Sequence, residues 1–254
     1  MNTVTAPQVL LYQPLYEQIK RMLTQSLIDG EWKAGEIIPS EMELAARFQV
    51  SQGTVRKAID ELVSESILMR RQGKGTYVMT HNEEGMKLRF LRLTGEDGQK
   101  GVPQNQLLSC IRTKASAKVA KKLNLKTGAA VIEIKRVLVI GGRPLILDQI
   151  VVPSSEFSGL SAKQIDDYKG ALYRMYEQEY GIRMIGAHEE IKAVAAEAET
   201  AEALDLAEGA PVLQIERVAY TYGDRPLEWR LGLCHTDQYL SLIHISEPTR
   251  QAEI

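Results

Sequence analysis

Two groups of side chains in this chain have the types and spacing to do chemistry. The first is a run of donors and cations, Ser51, Gln52, Thr54, Arg56 and Lys57, followed at a distance by the glycine-flanked Lys74 in the stretch Arg71 to Gly75. Hydroxyls, amides and guanidinium groups are what hydrogen-bond the phosphates and base edges of a duplex, and an Arg can pair bidentately with guanine. The second group is Arg136 and Asp148, set within the apolar runs VIEIKRVLVI and PLILDQIVVP. A charge buried without a partner is costly, so such a pair must satisfy itself or a ligand. Other chemistries lack their residues. His188, His235 and His244 show no ligand spacing, no Ser/His/Asp constellation is visible, and Cys110 and Cys234 form no CxxC pair. Metal binding, a cofactor and nucleophilic catalysis are therefore not expected, and both cysteines read as reduced thiols.

The elements that must carry the first group follow from periodicity and capping. Pro14 suits a first turn, and Leu15, Ile19, Met22, Leu23 and Leu27 recur at helical spacing until Gly30, which predicts a helix over 14–29. Ser40 and Glu43 form an S-x-x-E capping box before Leu44, Ala45 and Phe48, predicting a short helix over 41–48. Ser51 is a second N-cap, after which Val55, Ala58, Ile59, Leu62 and Val63 mark a buried face. That leaves Gln52, Gly53, Thr54, Arg56 and Lys57 at the outward or leading positions. Two capped helices joined by so few residues cross at a large angle, the geometry of a helix-turn-helix. ILMRRQGKGTYVM then reads as two short strands around a glycine turn, a wing whose tip permits close backbone approach to a phosphate. Each element alone is more often mere core or mere turn; their order carries the information.

In PLYEQIKRML, PSEMELAARFQVSQGTVRKAIDELVSESIL and RRQGKGTYV the segment resembles the winged helix-turn-helix of the GntR family of bacterial transcription regulators. The resemblance implies that Ser40 and Glu41 contact DNA from the N-terminus of the second helix, that Arg47 reaches DNA from its far end, and that Ser51, Gln52, Thr54 and Arg56 do so from the reading helix with Lys57 beside them. It further implies that the tip at Lys74 and Gly75 enters the adjacent minor groove. Arg56 and Arg47 are the expected readers. Gln52 departs from the basic residue often found at its place.

The second group sits in a region of different character. THNEEG is polar and aperiodic and places a linker at 80–86, beyond which strand-like runs alternate with short helices, an α+β pattern with an antiparallel sheet. The segment beginning at Ser116 matches the one beginning at Glu197 at a fixed offset of 81, so Gly128 coincides with Gly209 and Arg136 with Arg217. Each copy continues to an RPL turn, after one inserted residue in the second; two such units would form a pseudo-symmetric sheet, and a purely architectural meaning and a functional one are equally open for the duplication. If Gly141, Gly142 and Arg143 form the loop of the first hairpin, Ile132 faces Val152, Ile134 faces Ile150, Leu138 faces Ile146, and Arg136 faces Asp148 on the same apolar side. A plain cross-strand ion pair is the simplest reading of that juxtaposition.

Residues 88–241 resemble the UTRA effector-binding domain of the HutC subfamily, which shares the chorismate lyase fold, in KRVLVIGGRPLILDQIVVP, GALYRMYEQEYGI and YGDRPLEWRLGLCHTDQY. The resemblance implies that Arg136, Asp148 and Glu228 line a small-molecule pocket. Phosphosugar-binding members tend to carry a second Arg where this chain has Leu138, and a hydroxyl residue where it has Ala171. A phosphate needs several charge-assisted donors, so the expected effector is a small polar metabolite instead. Leu172, Tyr176 and Tyr180, with Tyr173 alongside, read as the core face of a helix in preference to an aromatic cage.

Composition agrees with this picture. The 254 residues favour two domains, and 44% hydrophobic with 25% charged residues exclude wholesale disorder. Net charge is 31 minus 33, or −2, yet residues 47–75 hold six Lys or Arg against three Asp or Glu. No stretch is apolar enough for a membrane span and no signal peptide is visible, so a cytoplasmic location is expected. The expected organisation is a DNA-binding domain at 14–79, the linker, an effector-binding and dimerisation domain at 87–241, and a non-native or disordered tail at 242–254. The expected molecule is a non-enzymatic homodimer, most naturally a repressor, that binds a two-fold symmetric double-stranded DNA operator and a small-molecule effector. The alternatives are a chorismate lyase-like enzyme and a dimerisation module without a ligand.

Overall fold

The first helix, α1 (Leu15–Ile28), buries Ile19, Leu23 and Leu27 on one stripe and stops at Asp29 and the left-handed Gly30. In this computed structural model, which describes residues 13–80, 93–95 and 103–241, the chain divides into two units, 1–80 and 81–254. The capping box at α2 (Glu41–Phe48) is complete: Ser40 Oγ accepts from the Glu43 amide at 3.3 Å, and the Glu43 carboxylate accepts from the Ser40 amide at 2.8 Å. Gln49 closes α2 in a left-handed conformation, which turns the chain into Ser51, whose hydroxyl caps α3 (Gln52–Ser64) by accepting from the Thr54 amide at 3.2 Å. Val55, Ala58, Ile59 and Leu62 of α3 are fully buried beside Leu44. The hairpin β1 (Leu68–Arg71) and β2 (Gly75–Val78) pairs Leu68 with Val78 and Arg71 with Gly75. Its second strand is also tied to the loop before α2, where the Ile38 amide donates to the Thr76 carbonyl and the Val78 amide to the Glu36 carbonyl. The order of elements is that of a winged helix-turn-helix, and the expected helix boundaries hold to within one residue.

The second unit is built on a six-stranded antiparallel sheet. Its strands are β4 (Gln104–Lys114), β5 (Ala130–Ile140), β6 (Arg143–Pro153), β7 (Gly186–Ala195), β8 (Pro211–Thr221) and β9 (Arg225–Cys234), in the spatial order β4-β5-β6-β9-β8-β7. A separate short pair joins β3 (Leu93–Gly95) to β10 (Tyr239–Ser241). The order is a palindrome, and the internal repeat explains it. β5 and β8 correspond at the offset of 81, as do the preceding helices α4 (Ala117–Lys122) and α7 (Ala198–Leu204), while β6 and β9 correspond at 82. A local two-fold axis therefore passes through the central pair Gln149 and Leu231. On one face α5 (Ala162–Asp167) and α6 (Leu172–Tyr180) pack Ile165, Met175 and Tyr176 over Ile134, Ile150 and Val152. On the other, α4 covers Val131, Val151 and Trp229, and α7 covers Val137 and Leu147.

The first hairpin corrects one expectation. Ile140 pairs with Arg143, so the turn is the two-residue Gly141-Gly142, both at positive φ, and not a three-residue loop. The expected register survives because the ladder shifts between Leu138 and Val139, leaving Leu145 as the extra residue; Arg136 faces Asp148 and Ile134 faces Ile150. A two-residue turn alone would have put Arg136 and Asp148 on opposite faces. α5, capped by Ser161, was not anticipated. The expected linker at 80–86 after its first residue, the expected strand KLRFLRL up to its last residue, and the tail at 242–254 lie outside the described residues.

Candidate nucleic-acid interface and effector site

The first turn of α3 presents its polar edge to solvent. Ser51, Gln52, Gly53 and Arg56 are exposed, and the Ser51 and Thr54 hydroxyls lie 2.8 Å apart. Glu41, expected among the DNA-contacting residues, here organises this edge from within the protein: its carboxylate accepts from Arg56 Nε at 2.9 Å, Arg70 Nη2 at 2.9 Å and Gln52 Nε2 at 3.2 Å. Arg70 also reaches Asp60 at 2.8 Å. The Arg56 side chain is 55% exposed and that of Glu41 18%. Ion pairs at such exposure contribute about 0–1 kcal/mol, so phosphates or base edges can displace them at little cost.

The other expected contacts are placed unequally. Arg47 forms a two-point ion pair with Glu31, and its guanidinium lies over the rings of Trp32 at 5.8 Å and Phe48 at 5.4 Å. The hydrogen bonds from Arg47, ahead of that from Ser26, hold the Glu31 carboxyl below the ordinary carboxylate value. Lys57 turns toward α1, its ammonium 3.9 Å from the Tyr16 ring. Lys74 is exposed at the wing tip, where Tyr77 donates its hydroxyl to the Lys74 carbonyl and Arg71 lies over the Tyr77 ring. Gly75 has φ of 110°, and a Cβ there would stand 2.8 Å from Ile37 Cδ1, so the tip requires glycine. Sequence reasoning counted Arg70 within a basic run but missed its convergence with Arg56 on Glu41, because 29 residues separate Arg70 from that carboxylate.

In the second unit the pairing of strands brings Arg136, Asp148 and Glu228 into one buried cluster, on the face covered by α6. Arg136 and Asp148 clasp each other, with Nε and Nη2 both 3.0 Å from Oδ2. Arg136 Nη1 is further engaged by the Gly170 carbonyl at 2.7 Å and by Asn105 Oδ1 at 3.4 Å. Burial, opposed by Asp148, lowers the Arg136 pKa from the ordinary guanidinium value. The Glu228 carboxylate is fully buried and accepts from the hydroxyls of Tyr173 at 2.8 Å and Tyr176 at 3.1 Å. Burial and the Glu228 charge push both phenols up, which keeps them donors. α6 is thus the core helix expected, and it also supplies two polar groups that its apolar spacing concealed.

Three further residues complete the cluster. Arg230 on β9 lies 3.1 Å from Glu228 and 3.5 Å from Asp148, above the Tyr173 ring at 5.6 Å. Burial opposes its charge, but Glu228 and Asp148 outweigh that and hold the Arg230 pKa well above the ordinary value. Arg217 on β8 is paired with Glu189 on β7 through Nε at 2.7 Å and Nη2 at 2.5 Å. The arrangement offers alternating cations and carboxylates with two phenol donors, a set suited to holding a small polar molecule. Among the described residues no three His, Cys, Asp or Glu side chains gather as for a metal, and no helix is long and apolar enough to cross a membrane.

Comparison with known proteins finds two family models. Residues 15–78 match the bacterial regulatory proteins of the gntR family, and residues 98–240 match the UTRA domain. Similar proteins include the HTH-type transcriptional regulator YurK of Bacillus subtilis (strain 168), 30% identical over 89% of this chain and 93% of that protein. The HTH-type transcriptional repressor NagR of the same organism is 27% identical over 89% of this chain and 92% of its own length. Among solved structures, the ligand-binding domain of a protein assigned as a GntR-family transcriptional regulator from Bordetella bronchiseptica is 38% identical. It covers 62% of this chain and 98% of that one, with a TM-score of 0.61. PhnF from Mycobacterium smegmatis shares the fold over 90% of this chain and all of its own, at 24% identity and a TM-score of 0.52.

Proposed function

The chain belongs to the gntR family of bacterial regulatory proteins and carries their UTRA domain, and from that premise we propose that it is a transcription regulator whose affinity for an operator is set by a small polar metabolite. α3 and the wing read the DNA, with Arg56 and Arg47 as base readers, Ser40, Ser51 and Thr54 as phosphate contacts, Lys74 and Gly75 in the neighbouring minor groove, and Gln52 and Lys57 alongside. The observation that carries this reading is the exposed leading edge of α3, capped by Ser51 directly after the capped helix α2, beside a glycine-tipped wing.

The working unit is a homodimer on a two-fold operator. Leu108 and Ile111 on the edge strand β4 are each about half exposed in the single chain, as a surface covered by a second copy would be. The effector lies among Arg136, Asp148 and Glu228, and its binding releases the operator, as the repressor name of the relative NagR suggests. A regulator of this kind acts in the cytoplasm and needs no catalytic group. The effector acts only through its different affinity for the DNA-competent and DNA-incompetent arrangements.

Footprinting of the full chain on genomic fragments, with and without metabolites that raise its thermal midpoint, tests the proposal. A two-fold related protected tract, lost when a stabilising metabolite is added, is the expected result. No protected tract under any solution condition, or turnover of the metabolite, overturns it.

A further inference from the structure

The local two-fold relation of the sheet assigns each position of the second half a counterpart in the first, and one of the differences between counterparts sets two cations face to face. Arg136 corresponds to Arg217, and Asp148, at the offset of 82, corresponds to Arg230. Where the first half has Arg136 directly opposite Asp148, the second half therefore has Arg217 directly opposite Arg230. Like charges facing each other across adjacent strands repel, and here the two guanidiniums belong to residues with little exposure to water. Arg217 is neutralised from the edge strand by Glu189. Arg230 is held by Glu228 and, at a long 3.5 Å, by Asp148, which Arg136 already engages twice. Among the described residues the buried Nε–H of Arg230 finds no hydrogen-bond acceptor, although a donor removed from water should have one.

Charge balance then narrows what can complete the site. Arg136, Arg217 and Arg230 carry three positive formal charges, and Asp148, Glu189 and Glu228 carry three negative ones. A phosphate dianion would leave a buried excess of negative charge, and a simple amine an excess of positive charge. A molecule bearing one carboxylate and one ammonium leaves the balance unchanged, and can present each group to an opposite one already in place.

Resting on the assignment of this unit as effector-binding, we propose that Arg217 and Arg230 form a carboxylate seat for a small zwitterion of the amino-acid class, whose ammonium is taken by Glu228 and Asp148. Arg136 has a different part: its donors are committed to Asp148, Asn105 and the Gly170 carbonyl, so it fixes Asp148 in place and does not grip the ligand.

The test uses the full chain, thermal-shift and calorimetric titration, and a panel of the protein α-amino acids with β-alanine and 4-aminobutyrate. Each with an uncharged side chain is run beside its N-acetyl form, which is anionic, and its amide, which is cationic, with inorganic phosphate as a further probe, all to millimolar concentration. At least one zwitterion should bind, with its two single-charge forms and phosphate weaker by at least about tenfold. Arg230→Met should abolish that binding. Arg230→Lys, which keeps the charge and lacks the Nε donor, should fold normally and bind about tenfold more weakly. Preference for phosphate or for either single-charge form, no binding by any zwitterion, or unchanged binding in Arg230→Lys overturns the proposal. Operator footprinting of the same variants without ligand separates the two ideas. A lost ligand response with an intact footprint supports the seat, whereas a zwitterion bound by wild type that leaves the footprint unmoved retains the seat and removes its regulatory role.

Discussion

In the proposed complex with DNA, Arg56 and Lys74 would make two kinds of contact with different signatures. Arg56 projects from near the start of a capped helix, tethered by a pair with Glu41. Arg56→Ala should cost about 1–3 kcal/mol on the cognate operator and much less on scrambled DNA, as measured by competition binding. Equal loss on both would remove Arg56 as a base reader. Lys74→Ala should weaken all sequences alike and flatten the dependence of log affinity on log salt by about one unit. A third residue gives a test by pH. Burial pushes the Glu216 carboxyl up, but the Lys118 ammonium and the Trp229 indole N–H, each at 2.8 Å, outweigh it and hold the group below 4.5. A carboxyl held lower in the folded chain than in the unfolded one stabilises the fold above the unfolded value, and that stability is lost as pH falls through the folded value. The denaturation midpoint of wild type should therefore exceed that of Glu216→Gln at neutral pH and converge on it in acid. A gap that persists into strong acid would contradict this. Arg136 and Asp148 were aligned at this scale by alternation and an assumed three-residue turn, and the alignment holds only because the extra Leu145 offsets the shorter turn. Arg230 was not legible, since its meaning appears only when the second half is superposed on the first, although the inserted residue before RPL already carried the offset.

At the scale of elements, caps and glycines set where each segment begins and bends. Ser40→Ala removes one side of a complete capping box and should lower the stability of the first unit by about 1 kcal/mol, read from chemical denaturation. Gly170 has φ of 74°, and a Cβ there would lie 2.3 Å from that of Asn105, while its carbonyl is the acceptor for Arg136 Nη1. Gly170→Ala should thus lower the thermal midpoint of the second unit by several degrees; an unchanged midpoint would mean that the turn relaxes freely. The first two helices of the first unit and the start of the third were readable almost to the residue because Ser40, Ser51 and Gly30 mark those ends by known chemistry. The first hairpin shows what was not readable. The turn and the extra Leu145 each shift the register by one, and only their cancellation preserves the pairing, which no local rule of alternation reveals.

For the molecule as a whole, order and number of domains were legible because the two units differ in period, helical before residue 80 and strand-rich beyond it. The first unit has its own buried core around Leu23, Leu44, Ile59 and Leu62, so residues 1–80 alone should give a cooperative thermal transition and bind operator with weakened affinity, as a half-site reader without its dimerising partner. Undiminished affinity of that fragment would place dimerisation within it. The duplicated sheet has a consequence for descent. A scaffold made by doubling holds two copies of every device and needs one, so Arg136 and Asp148 keep the clasp that braces the middle of the sheet, while the mirror copy is a spare. If Arg217 and Arg230 form the proposed seat, substitutions there and at their neighbours would retune which molecule is recognised, generation by generation, while the brace that holds the architecture stays untouched.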